Sequence, residues 1–257
     1  MDKKIILIIT ALLFSMQLPA LSAQKLNIYC EDDRPMQFVG ADGILTGMSV
    51  EIVQEIKKRV GNSDPIKMVP WARGLNEVTN TPNTVLFSMA RTAERNQLFQ
   101  WVGPIAETAF ALYAKANSTI KITELDDAKK IRSIGVYRDD IRDQFLTKAG
   151  FTNLERTDDN VSNFKKLMAG RFDMYASSSN DIKGNAESAG YKLSDVRLVY
   201  IFLRSQVYMA MSKGTNVAIV AQWNDALKKM KEDGTFSRIF KKYYPDNELP
   251  GPEISKF

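Results

Sequence analysis

Two hydrophobic spacings alternate along this chain of 257 residues. Short segments at 25–29, 66–69 and 84–89 read as strands, the last of them buried, while Val50, Val53, Ile56 and Val60, spaced by helical turns, predict an amphipathic helix over 48–60 that Gly61 ends. Pro70 and Trp71 break the second strand, and a short helix is expected at 74–78. A second set of alternating elements follows. Strands are expected at 108–114, 133–137, near Leu154 and at 174–176, with helices at 140–149, at 161–169 and from the last strand to Ala189. The run 196–202 leads into Arg204-Ser205-Gln206, after which 207–211 starts a return to the first set. Thr215 is the expected cap of a long helix over 216–233 ended by Gly234, and a last helix over 236–243 stops at Pro245. Regular strand–helix alternation predicts an α/β fold, and two passages between the two sets imply a hinge.

The first residues change the picture of where the chain works. Lys3 and Lys4, an apolar run over 5–14 and Leu21-Ser22-Ala23 fit a charged start, a short hydrophobic core and a small-residue cleavage site. We therefore expect 1–23 to be a signal peptide and the exported protein to begin at Gln24. That residue is not a cysteine, so a lipoprotein anchor is not expected, and no later run approaches the roughly 20 apolar residues that span a bilayer.

Composition narrows the chemistry. With no histidine, Ser-His-Asp and Cys-His catalysis and most transition-metal sites are excluded. Cys30 is the sole cysteine, so no internal disulfide is possible, and it reads as a buried strand-end thiol. The formal charge of +5 is spread out: Lys57-Lys58-Arg59, Lys228-Lys229 and Lys241-Lys242 read as solvated helix faces, and nucleic acid is not an expected partner.

The most informative segment is Ala90-Arg91-Thr92-Ala93-Glu94-Arg95, followed by Phe99-Gln100-Trp101-Val102-Gly103-Pro104. Thr92 suits a helix N-cap, Glu94 the first turn, and Arg95 stands just inside the helix start. Free backbone N–H groups and a guanidinium converge there, and an arginine fork can donate two parallel hydrogen bonds to a carboxylate. The other reading of Arg95 is an ion pair with Glu94 or Glu107.

This arrangement resembles the family 3 periplasmic solute-binding proteins, the amino-acid receptors of ABC importers, in which a Thr-x-x-Arg segment after a strand grips the ligand's α-carboxylate. The resemblance runs from about Leu26 through Tyr244 and includes Gly43 to Gly47, Pro70-Trp71-Ala72-Arg73 and Glu232-Asp233-Gly234-Thr235-Phe236. It implies the type II two-lobed periplasmic-binding-protein fold: two α/β lobes joined by a two-strand hinge, lobe one formed by 24–106 and 207–257, lobe two by 107–206, and a ligand cleft between them.

The resemblance also nominates residues. Arg95 would be the carboxylate clamp, and Ser88 and Ala90 stand where family members meet the ligand's ammonium, although Ala90 lacks the usual hydroxyl. Many members place an aspartate after a lobe-two strand for that ammonium. Here Ser178 is nearest in register and Asp181 lies slightly beyond, so ordinary α-amino-acid binding is in question unless Glu31, Asp32 or Asp33 supplies the charge. Trp71 could stack on a ligand or pack on Pro70, and Arg73 could meet a second acidic group. Tyr137-Arg138-Asp139-Asp140 matches the turn whose backbone reaches the ligand carboxylate, with Tyr137 as a wall, Arg138 beside it and Asp139 as helix cap.

The expectation is a periplasmic, monomeric receptor without cofactor or metal that closes on a small anionic or zwitterionic, amino-acid-like solute and delivers it to an ABC permease. Two alternatives stay open. One is an enzyme on the same scaffold, similar to the cyclohexadienyl dehydratases, in which Glu31 or Asp181 would have to be a buried acid of raised pKa. The other is a ligand-sensing subunit for a membrane signalling partner.

Overall fold

The computed structural model describes residues 24–253. The expected leader at 1–23 lies outside the described residues. The first set of elements comprises β1 (Asn27–Cys30), β2 (Phe38–Val39), β3 (Leu45–Thr46), α1 (Met48–Val60), β4 (Ile66–Met68), α2 (Trp71–Asn80), β5 (Thr84–Ala90) and α3 (Ala93–Asn96). After β6 (Phe99–Lys115) come β7 (Ile134–Tyr137), α4 (Ile141–Lys148), β8 (Leu154–Thr157), α5 (Asn160–Met168), β9 (Met174–Ser178) and α6 (Ile182–Ser188). The chain then returns through β10 (Val196–Ser212) to α7 (Val217–Glu232) and α8 (Thr235–Tyr243).

Eight strands form one sheet in the order β4-β1-β5-β10-β6-β9-β7-β8. β1 is parallel to β4 and β5, β7 is parallel to β8 and β9, and the long strands β6 and β10 run antiparallel to each other between the two parallel sets. Their register joins Ser212 to Phe99 at one end and Val196 to Lys115 at the other. The two 17-residue strands therefore pass through both α/β lobes. The sequence pattern predicts shorter strands, 108–114 and 196–202, with a return only at 207–211. Cross-strand pairing of Arg204 with Ala109 and Gln206 with Glu107 satisfies the backbone there, so β10 continues where local polarity reads as a loop.

Each lobe has its own core. Val50, Val53 and Ile56 on α1 meet Trp223, Leu227 and Met230 of α7 and Phe236 and Phe240 of α8, so the C-terminal helices pack on the first set. Each such fully buried aliphatic contributes about 1.5–3 kcal/mol. α1 ends at Gly61, whose φ of 72° lets its N–H reach the carbonyls of Lys57 and Lys58. In the second lobe Leu112, Ile134, Val136, Leu146 and Met174 form a separate cluster.

Two helix starts differ from expectation. α2 begins at Trp71, because Pro70 occupies the N-cap position and Trp71, Gly74 and Val78 share one buried face. α4 is capped by Asp140, whose carboxylate accepts from Arg142 N, while Asp139 takes φ 57° and cannot serve as the cap.

Candidate functional site

The cleft is built where connections leave the carboxyl ends of β1, β5, β7 and β9, the edge of an α/β sheet where ligands bind. From the first lobe come Glu31 and Asp33 after β1, Trp71 of α2, and Ser88, Ala90 and Arg95 around the end of β5. From the second come Asp140 and Arg142 of the β7–α4 connection and Ser178, Asn180 and Asp181 after β9.

Arg95 is held here by its helix start. Thr92 caps α3 by accepting from Arg95 N at 3.3 Å, and the side chain turns inward with 4% of its surface exposed. Nη1 donates to the Ala90 carbonyl at 3.4 Å, and Nη2 donates to Gln144 Oε1 of the second lobe at 3.1 Å. The guanidinium lies 5.3 Å from the Trp71 ring centroid. Burial pulls its pKa down, and the charges of Asp140 and Glu31 act against that. Neither ion-pair alternative forms: Glu94 pairs with Lys148, and Glu107 accepts from Gln206 and from the Gly251 backbone. The fork therefore faces the cleft with neutral partners.

Ser88 is the extra residue of a β-bulge, since Met89 pairs with Tyr208 and Phe87 with Met209. It adopts φ 64°, a conformation that side chains rarely take and that concentrates at functional sites. Its hydroxyl donates to Gln37 Oε1 at 2.6 Å and lies 2.9 Å from Ser49 Oγ, so it is tied into the first lobe while lining the cleft. Ala90 contributes its carbonyl to Arg95. Ser178 Oγ accepts from Asn180 N at 3.2 Å and Asp181 N at 3.1 Å; it shapes the turn, and the acid that enters the cleft is Asp181.

Two nominated arginines are elsewhere. Arg73 lies on the exposed face of α2, because the helix starts early enough to turn it away from the buried Trp71–Gly74–Val78 side. Arg138 points out and pairs with Asp158 at 2.7 Å. Tyr137 is buried and lies 5.8 Å under the Arg142 guanidinium. Trp71 is buried too, and its Nε1 donates to the Asp139 carbonyl at 3.1 Å, another link between lobes.

The second cation of the cleft is Arg142, which the sequence reading passed over. It is 3% exposed, its Nε is bound to Asp140, and its Nη1 sits 3.8 Å from Asp181 without a hydrogen-bond partner in the protein. Burial works against its charge, and Asp140, Tyr175 and Asp181 more than offset that, so its pKa is raised. The only sequence signal was position: an arginine two residues after a capping aspartate is drawn back toward the cap.

The acids are raised as well, which for a carboxyl disfavours the charge. Burial, with Asp140 nearby, pushes Glu31 up to about 8 against the pull of Arg142 and Tyr137. Burial also raises Asp33 and Asp181, and the charge of Asp181 adds to the rise of Asp33. Glu31 Oε2, Asp33 Oδ1 and Thr108 Oγ1 line the space without a protein partner.

The free space between these groups is about 30 Å³, room for one or two water molecules and far below the roughly 300 Å³ at which ligand pockets begin. The lobes are shut on each other around it. Beside this space, between α3, α4 and β10, a second cavity of about 270 Å³ has apolar walls of Ile141, Phe145 and Leu203. No cluster of three or more metal-ligating side chains exists among the described residues, and none of their helices is long and apolar enough to cross a membrane.

Comparison with known proteins agrees with this architecture. The family model of the bacterial extracellular solute-binding proteins, family 3, matches residues 26–246. The L-cystine-binding protein TcyA of Bacillus subtilis (strain 168) is 26% identical over 214 residues, which cover 82% of this chain and 75% of that protein. A histidine kinase sensor domain with similarity to periplasmic binding proteins superposes with a TM-score of 0.79 at 18% identity, over 88% of this chain and 98% of that one. An ancestral arginine-binding protein bound to arginine superposes with a TM-score of 0.75 at 23% identity, over 85% and 97%. At such identities the likeness of the solved structures is one of fold.

Proposed function

The chain belongs to the bacterial extracellular solute-binding proteins of family 3, and we propose that it is a periplasmic receptor that closes its two lobes over an amino-acid-like zwitterion and presents it to an ABC permease. In this reading it is exported by the leader at 1–23, carries no lipid anchor, acts as a monomer and performs no chemistry. Lobe one is 24–106 with 207–257, and lobe two is 107–206.

The observation that carries the reading is the polarity of the cleft. A buried guanidinium whose hydrogen-bond partners are neutral, Arg95, lines the same space as the carboxyls of Glu31, Asp33 and Asp181, the last of them 3.8 Å from Arg142. The guanidinium suits a carboxylate and the acids an ammonium, and the contacts come from both lobes, so a zwitterion bridging them favours the shut form. Asp181 and Asp33 supply the ammonium partner that Ser178 cannot. The relatives named for cystine and arginine binding support the same solute class.

A thermal-shift panel of amino acids, dicarboxylates and polyamines tests this. A solute at 100 times its Kd stabilises by about 2.7 kcal/mol, a shift of roughly 5–10 °C for a chain of this size. A response confined to dicarboxylates or to polyamines contradicts the zwitterion.

One observation favours the enzymatic alternative: Glu31, raised to about 8, has the protonation expected of a general acid. Turnover of prephenate or arogenate by the purified protein would establish that reading in place of transport.

A further inference from the structure

Three carboxyls meet at the shut cleft from opposite sides, Glu31 and Asp33 from the loop after β1 and Asp181 from the turn before α6. The groups facing them fix their state. Tyr137, Asp140 and Arg142 approach from the β7–α4 connection and Arg95 from α3. Tyr175 of β9 and Tyr244 after α8 feel the charges of Asp33 and Asp181, and Cys30 precedes Glu31; all three are neutral, burial raising each of their pKa values. Arg142 is bound to Asp140 and stands 3.8 Å from Asp181. Lining the cleft, Arg95 and Arg142 are thus two cations against the four acids Glu31, Asp33, Asp140 and Asp181.

Like charges packed this closely in a buried site cannot all ionise, and such groups take up protons instead. The geometry shows where. Asp33 faces the charge of Asp181, which disfavours its ionisation, and Glu31, 8% exposed, leaves Oε2 without a partner in the protein. Asp33 Oδ1 is likewise unpartnered. The protons stand where a cationic group of a solute would satisfy the same oxygens.

We propose that a cationic group of the solute, an ammonium or a guanidinium, replaces these protons among Glu31, Asp33 and Asp181, so that binding expels protons from the cleft. This rests on the amino-acid-like reading above and adds a proton stoichiometry to it. The balance is simple: the solute enters with its cation already charged, the carboxyls ionise, and the protons leave to solvent. Because the bound form holds fewer protons, affinity rises with pH, by up to about tenfold per pH unit for each proton released.

The test is titration calorimetry on the full exported chain with L-arginine, L-leucine and succinate. Each is measured between about pH 6 and pH 8 in two buffers of different ionisation enthalpy. The proposal expects arginine, leucine or both to bind with release of about one proton and with Kd falling as pH rises. It also expects the slope to flatten in Glu31→Gln or Asp33→Asn, whose melting temperatures report folding. If neither variant folds, the two-buffer heats of the parent protein decide alone. Binding of an amino acid with no proton release and a flat pH profile overturns the exchange and leaves the receptor reading standing. Binding of succinate alone overturns the exchange and identifies an anion site. Absence of binding by all three overturns both.

Discussion

Gly184 offers a way to separate lobe closure from ligand contact. It lies in α6 of the second lobe, and a Cβ there would stand 2.6 Å from the Arg34 carbonyl oxygen and 2.8 Å from Arg34 Cβ. Arg34 belongs to the loop after β1, in the first lobe, so Gly184→Ala creates a clash only when the lobes are shut. Forcing atoms into a tight contact costs about 1–3 kcal/mol. With the lobes apart the methyl meets solvent, and alanine inside a helix is favoured over glycine by about 0.5–1 kcal/mol. The substitution therefore penalises only the shut form, and since binding is coupled to closure the apparent Kd should rise about 5- to 150-fold. Calorimetry with the amino acid that gives the largest thermal shift measures this, and small-angle scattering at saturating ligand should show a larger radius than for the parent. The melting temperature without ligand should hold or increase. A Kd within twofold of the parent, with an identical scattering curve, would refute the claim that closure at this contact governs binding.

Three further outcomes follow from the same geometry. Arg95→Lys keeps a charge and loses the planar fork that donates two parallel bonds, so amino-acid affinity measured by calorimetry should fall about 10- to 100-fold. Glu31 is raised in the folded protein from 4.5 to about 8, so its contribution to stability is complete below about pH 4.5 and is lost as pH climbs toward 8; melting temperatures followed over that range should decline less in Glu31→Gln than in the parent. Cys30 is fully buried and burial pushes its thiol up to about 12, so a thiol reagent should label it only in denaturant, and rapid labelling of the native protein would contradict its placement.

Much of the fold is legible in the sequence because local and global signals agree. α1 is an example: helical spacing of Val50, Val53 and Ile56, basic residues in the last turn and a left-handed Gly61 all point to the element that forms. The long strands are less legible. Arg204, Ser205 and Gln206 look like a loop, and only the register with β6, 90 or more residues distant, makes them strand. In the site, Arg95 is readable because its helix start fixes where the side chain goes. Arg73 and Arg142 are not, since where α2 and α4 start, three residues earlier and one residue later than expected, decides whether an arginine faces solvent or the cleft. Asp181 stands three residues after Ser178 in sequence, and the turn capped by Ser178 brings it into the cleft.

A structure of the protein with its amino acid bound bears most directly on the whole account. It should place the solute carboxylate within hydrogen-bonding distance of the Arg95 guanidinium and its cationic group among Glu31, Asp33 and Asp181, with both lobes in contact. A solute seated in the apolar cavity beside Phe145, or with its carboxylate on Arg142 and none of its atoms near Arg95, would contradict it.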